Sequence, residues 1–143
     1  MDPLSHDIGF AIKKIHDAIA AAANAALRPY DLTLAQADFL RFLAQRNTPA
    51  TLRDLEQHFH LKHPTVVGIV HRLEEKGFVS TKTAENDRRC RLVQITDRAV
   101  EVRQILHAAV VEVEQHLTRG LSDEEQALLL RWLRRLYNNI TAP

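Results

Sequence analysis

Apolar residues recur along this chain with two different periods, and the changes of period mark its elements. Ile8, Ile12, Ile15, Ile19, Ala22 and Ala26 stand at helical spacing and predict a first helix with one apolar face. The alanine-rich stretch around them favours helix intrinsically. Arg28-Pro29 ends it, because the residue before a proline is pushed out of the helical region. A second helix starts at Thr33, where Gln36 three residues on completes a capping box, and Phe39, Leu40 and Leu43 form its apolar face. Asn47-Thr48-Pro49 stops it. Thr51 caps a short third helix that turns Leu52, Leu55 and Phe59 inward.

His60-Leu61-Lys62-His63 reads as a turn, and Pro64 opens a fourth helix, where its missing N–H costs nothing. That helix runs to about Lys76, buries Val66, Ile69, Val70 and Leu73, and ends at Gly77. The period then changes to that of strands. Phe78 to Thr83 and Arg91 to Ile95 are rich in β-branched and aromatic residues and flank a polar turn, so they predict a hairpin with a charged tip. A long helix follows from the cap Thr96-Asp97, with Val102, Ile105, Leu106, Ala109, Val113 and Leu117 as its stripe, and Gly120 ends it. The last helix begins at Ser122, with Glu125 completing a capping box. The expected fold is mainly α (α+β): a winged helix-turn-helix with a small β-hairpin wing, flanked by helices at both ends. One domain spans 1–143, with the winged helix-turn-helix lobe at about 33–96 and terminal helices at about 4–28 and 97–140.

The order of short helix, tight turn, helix and hairpin singles out the fourth helix as the one that enters a major groove. With Val66 set at zero and steps of about 100° per residue, Val70 and Leu73 fall within about 40° of it. Pro64, Gly68, His71 and Glu75 take the opposite side, Thr65 and Arg72 one flank, and Val67 the other. Small residues around Gly68 let the helix approach DNA closely. Thr65 and Arg72 can bond phosphates, while His63, Val67 and His71 are placed for base edges or thymine methyls. Thr51, at the start of the preceding helix, joins the DNA-facing candidates.

Charge supports this reading through its distribution. The 143 residues carry a net charge of +1. Between Arg41 and Arg103, however, 12 Lys and Arg stand against 8 Asp and Glu, and the ends are mildly acidic. A basic middle is the expected footprint of a polyanion site.

The run from Leu61 to Val79, LKHPTVVGIVHRLEEKGFV, resembles the recognition helix and first wing strand of the MarR family of transcription regulators. Asp87-Arg88-Arg89-Cys90-Arg91-Leu92-Val93-Gln94-Ile95-Thr96 resembles the family's wing signature, with Ile95 where leucine is commoner. The resemblance extends over the whole chain. It implies that Arg89 is the wing arginine entering the minor groove, beside Arg88, and that Asp87 holds it in place. A planar guanidinium suits that narrow, electronegative groove. It further implies a homodimer on duplex DNA with an inverted-repeat operator, repression, and release by a small aromatic, anionic ligand. His16, Phe39 and Arg41 are the candidates to line that ligand's cleft.

The terminal helices supply the means to pair. On the last one Leu128, Leu130 and Trp132 lie off the line of Leu129, Leu133 and Leu136, and Tyr137 and Ile140 extend the apolar surface. On the first, Ile8 belongs to the stripe and Phe10 points away from it. A single chain leaves part of this exposed, so Ile8, Phe10, Leu128, Leu129, Trp132, Leu133, Leu136 and Tyr137 are the expected dimer contacts.

Other chemistry is sparse. Eight histidines include His6, His16, His58, His60, His63, His107 and His116, but no pair has His-x-x-x-His spacing, so neither metal nor cofactor is expected. Cys90 is the single thiol and stands between Arg89 and Arg91, the electropositive setting in which reactive cysteines are found. A metal- or redox-responsive regulator of the same fold is therefore the nearest alternative, and a winged helix used for protein contacts the next. No nucleophile motif or phosphate-binding glycine loop points to an enzyme. No stretch approaches the about 20 apolar residues of a membrane span, and Met1-Asp2-Pro3 lacks a basic leader, so a cytoplasmic protein without membrane contact is expected.

Overall fold

The computed structural model describes residues 2, 4 and 7–143; His6 lies outside the described residues. Helix α1 spans Ile8–Leu27 and starts at Asp7, whose carboxylate accepts from the Phe10 N–H at 2.7 Å. The α-helix stops at Leu27, but not because Arg28 leaves the helical region: Arg28 keeps helical angles (φ −54°, ψ −41°), and Arg28–Tyr30 continues as a single 3-10 turn into the left-handed Asp31. Helix α2 covers Leu34–Ala44, with both arms of the Thr33–Gln36 capping box formed. Its start is tied to α1, because the Asn24 side-chain oxygen accepts from the Leu34 N–H at 2.7 Å.

A two-residue strand, β1 (Ala50–Thr51), precedes α3 (Leu52–Phe59) and α4 (His63–Glu75). The wing strands are β2 (Val79–Thr83) and β3 (Arg91–Ile95). Together they form an antiparallel sheet in the order β1-β3-β2, with Ala50 opposite Val93 and Thr81 opposite Val93 on the other side. The periodicity reading missed β1, since two residues carry no period. Helices α5 (Asp97–Leu117) and α6 (Asp123–Thr141) complete the chain. Ser122 and Glu125 cap α6 reciprocally.

The core lies in the middle of the chain. Phe39, Leu40 and Leu43 from α2, Leu55 from α3, Val66, Val70 and Leu73 from α4, and Val93 from β3 are buried together. Phe59 stacks on Phe39 with ring centroids 4.6 Å apart. The stripes of the terminal helices behave differently. On α1 only Ala23 and Leu27 are buried, and Ile8, Ile12 and Ile15 are exposed. On α5 only Ala99 and Leu106 are buried, and no residue of α6 is buried. No helix among the described residues is long and apolar enough to cross a membrane.

Candidate nucleic-acid interface

Two faces of α4 part cleanly. Val66 and Leu73 are fully buried and Val70 nearly so, which seats the helix on the core. Pro64, Thr65, Val67, His71 and Arg72 are exposed on the other side, and Gly68 is half-exposed between them. A Cβ added to Gly68 would meet nothing within 4 Å. The chain itself therefore does not require glycine there. Pro64 stands within the first turn, one residue after His63 rather than at the start of the helix. His63 lies 3.5 Å from Glu56 of α3, and His71 2.9 Å from Glu75 one turn on. Thr51 is less available, because its hydroxyl accepts from the Asp54 N–H at 3.0 Å and its backbone pairs with Leu92.

Both ends of α4 are anchored, and the C-terminal anchor is dense. Gly77 adopts φ +80°, the left-handed cap that lets Phe78 N–H reach the Leu73 carbonyl at 2.9 Å. The Thr96 hydroxyl donates to the Gly77 carbonyl at 2.6 Å. Thr96 thus stands at the N-cap position of α5 without capping it through its side chain. Arg98 of α5 donates to the Lys76 carbonyl and lies over the Phe78 ring at 4.7 Å. Lys76 reaches back to the Asp31 carbonyl and to Gln36 at 3.1 Å. The start of α5 and the α1–α2 junction therefore both grip the end of the exposed helix. These partners are far apart in sequence, and no local pattern signals them.

The wing tip is folded around Asp87. Its carboxylate accepts from the Arg89 N–H at 3.0 Å and stands 3.8 Å from the Arg89 guanidinium. Cys90 closes the tip through Asp87 and Ala84, and its thiol is free and half-buried. The Arg89 side chain is 97% exposed, and Arg88 is exposed too. A cation held out at the end of a hairpin, with its backbone fixed by the adjacent carboxylate, is preorganised to meet an anion.

A cavity of about 540 Å³ opens between α2 and α5. Leu40, Ile95, Ala99 and Leu106 give it an apolar floor, and Arg41, Arg103 and His107 bring basic groups to its walls. Asp38 holds Arg41 at 2.7 Å. Of the residues expected to line a cleft, Arg41 does so. Phe39 is 1% exposed in the core against Phe59, which closes it to any cleft ligand. His16 is exposed on α1, 3.7 Å from Asp17, whose pKa is lowered first by a hydrogen bond from Lys13. Arg103 and His107 stand one turn apart on α5, an i,i+4 spacing that is visible in the sequence but does not by itself point to a cavity.

Of the expected dimer contacts, Ile8, Leu128, Leu129, Trp132, Leu133 and Tyr137 are exposed and Leu136 is half-buried. Phe10 is half-buried, with the Lys14 ammonium 5.9 Å from its ring centre. Among the described residues, no three His, Cys, Asp or Glu side chains cluster so as to hold a metal ion.

A family model described as the MarR family matches residues 30–89, from the turn after α1 to the wing tip. Among solved structures, the reduced form of MarR from E. coli is 25% identical, covering 91% of this chain and 96% of that one, with a TM-score of 0.79. CouR from Rhodococcus jostii RHA1, solved with p-coumaroyl-CoA, is 24% identical over 100% of this chain and 97% of its own, with a TM-score of 0.81. MepR from S. aureus, solved as a DNA complex, is 21% identical, covers 94% and 99%, and has a TM-score of 0.88.

Proposed function

Residues 30–89 carry a MarR-family winged helix-turn-helix, and from that premise we propose that the chain is a homodimeric, sequence-specific transcription repressor on an inverted-repeat operator. The observation that carries this reading is the split of α4: Val66, Val70 and Leu73 are buried, while Thr65, Val67, His71 and Arg72 are exposed beside a wing whose Arg89 is 97% exposed. Thr65 and Arg72 bond phosphates, His63, Val67 and His71 read base edges, and Arg89 enters the minor groove. The exposed apolar surface of α1 and α6 pairs two copies, which places two recognition helices on half-sites about 34–36 Å apart. MepR, of the same fold, was solved on DNA.

A small anionic ligand with an aromatic body enters the cavity between α2 and α5, where its charge meets Arg41, Arg103 or His107. CouR, solved with an aromatic acyl thioester, has the same fold. Such a ligand acts only through its differential affinity for the two states, and tenfold relief takes about 1.4 kcal/mol. Gel retardation of the chain's own upstream DNA at low salt tests the function. Retardation of a fragment with an inverted repeat, reversed by added salt, is expected. If the purified dimer retards no duplex, the reading fails.

A further inference from the structure

Three arginines crowd the wing, yet they are not equivalent. Arg88 and Arg89 stand out at the tip, whereas Arg91 turns back along the hairpin and donates to the Thr81 hydroxyl at 2.6 Å. That hydroxyl in turn donates to the Glu74 carboxylate of α4 at 2.6 Å, and the Thr81 N–H donates to the same oxygen at 3.1 Å. Strand β2 is an edge of the sheet. The outward N–H of an edge strand has no strand partner, and here Glu74 supplies one. The chain Arg91–Thr81–Glu74 therefore joins the wing to the last turn of the helix beside it.

We infer that Glu74, Thr81 and Arg91 are positioning residues that set the angle between wing and recognition helix, and that Arg91 serves as a strut rather than a DNA contact. This rests on the DNA-binding reading above. Major-groove and minor-groove contacts sit on different elements, so both are made at once only if the two elements hold a fixed relation. A hairpin tip amplifies any rotation at its base, and Thr81 is at the middle of β2. Charge-assisted hydrogen bonds in series are suited to that task.

Thr81→Val tests it without altering charge. Valine keeps the β-branched shape, so the strand stays, but the relay between Glu74 and Arg91 is lost. Thr81→Val removes no charge that would release counterions, so any fall in the salt slope must come through the wing. Operator affinity should fall about three- to tenfold with a shallower slope, yet less than about twofold in an Arg89→Ala background. Equal losses in both backgrounds would overturn the inference. Glu74→Ala gives a test of sign. Removing a negative charge beside a polyanion strengthens binding on electrostatics alone, whereas loss of the strut weakens it; tighter binding refutes the strut. Amide exchange at Thr81, followed by NMR without DNA, separates this inference from the functional reading. Exchange should quicken in Glu74→Ala, and unchanged exchange sinks the strut whatever the chain binds. Failure of the parent chain to bind DNA, with quickened exchange, would instead sink the functional reading alone.

Discussion

Gly68 separates what the chain needs for itself from what the proposed DNA contact would need. Nothing in the protein lies where its Cβ would point, so Gly68→Ala should stabilise α4 by about 0.5–1 kcal/mol, the helix-interior difference between the two residues. The same methyl would stand on the DNA-facing side and hold the helix off the groove. Chemical denaturation should therefore show a higher midpoint and anisotropy titration a weaker operator complex. A variant that gains on both counts would remove Gly68 from the interface. Arg89→Ala should weaken binding to all sequences and reduce the salt slope by about 1, the signature of one lost phosphate-region contact. Asp87→Ala should cost less, because Asp87 acts by holding the Arg89 backbone and guanidinium. The exposed face of α4 and the Asp87–Arg89 contact were legible because helix period and wing spacing are local. The place of Phe39 was not: an aromatic on an apolar face reads the same whether it lines a cleft or stacks on Phe59 in the core.

Elements were read well where they were long or capped. The capping boxes at Thr33 and Ser122 and the left-handed glycine after α4 each announce themselves within a few residues. Strand β1 has only two residues and exists because β3 offers it a ladder. Thr96 looked like a cap, yet its hydroxyl serves the Gly77 carbonyl, a tertiary choice. That choice joins α5 to α4, and Arg98, two residues on in the first turn of α5, reinforces it. Arg98→Ala removes a cation from the C-terminus of α4 and from the Phe78 ring, so stability should fall by about 1 kcal/mol, moderated by solvent exposure. Operator affinity should fall with it, since the recognition helix is held at that end. A denaturant midpoint and an operator titration check the pair; loss of stability with full DNA affinity would show that the clasp does not orient α4.

At the scale of the whole molecule, the middle of the chain carries most of the core, joined by Leu27 of α1 and Ala99 and Leu106 of α5, and the ends leave apolar surface exposed. Leu55, Val66, Leu73 and Val93 are buried without help, while Leu129, Trp132 and Tyr137 are exposed. The sequence indicated too much apolar surface on α6, but which part would stay uncovered depended on how α1 and α5 lie, and periodicity does not fix that. The expected partner is a second copy. Trp132→Glu together with Leu129→Glu should yield a monomer by sedimentation, with the winged lobe still folded and operator binding lost. A double variant that sediments as a dimer would move the interface elsewhere. The cavity between α2 and α5 gives a separate prediction. Arg103→Ala should reduce the thermal shift produced by phenolic acids while sparing DNA binding in their absence. A larger shift in the variant would remove Arg103 from ligand recognition.

The uncovered α6 also bears on dosage. Folding that is completed only by pairing makes the melting temperature rise with protein concentration. If the proposed pairing holds, the paired species grows with the square of the amount of chain below the dimer dissociation constant, and operator occupancy would respond to synthesis more steeply than one-to-one binding allows. An orphan copy presents a 19-residue helix with no buried side chain, the sort of segment that chaperones and proteases sample first. Surplus single chains would be cleared faster than pairs, and the threshold between an empty and an occupied operator would sharpen with no effector at all.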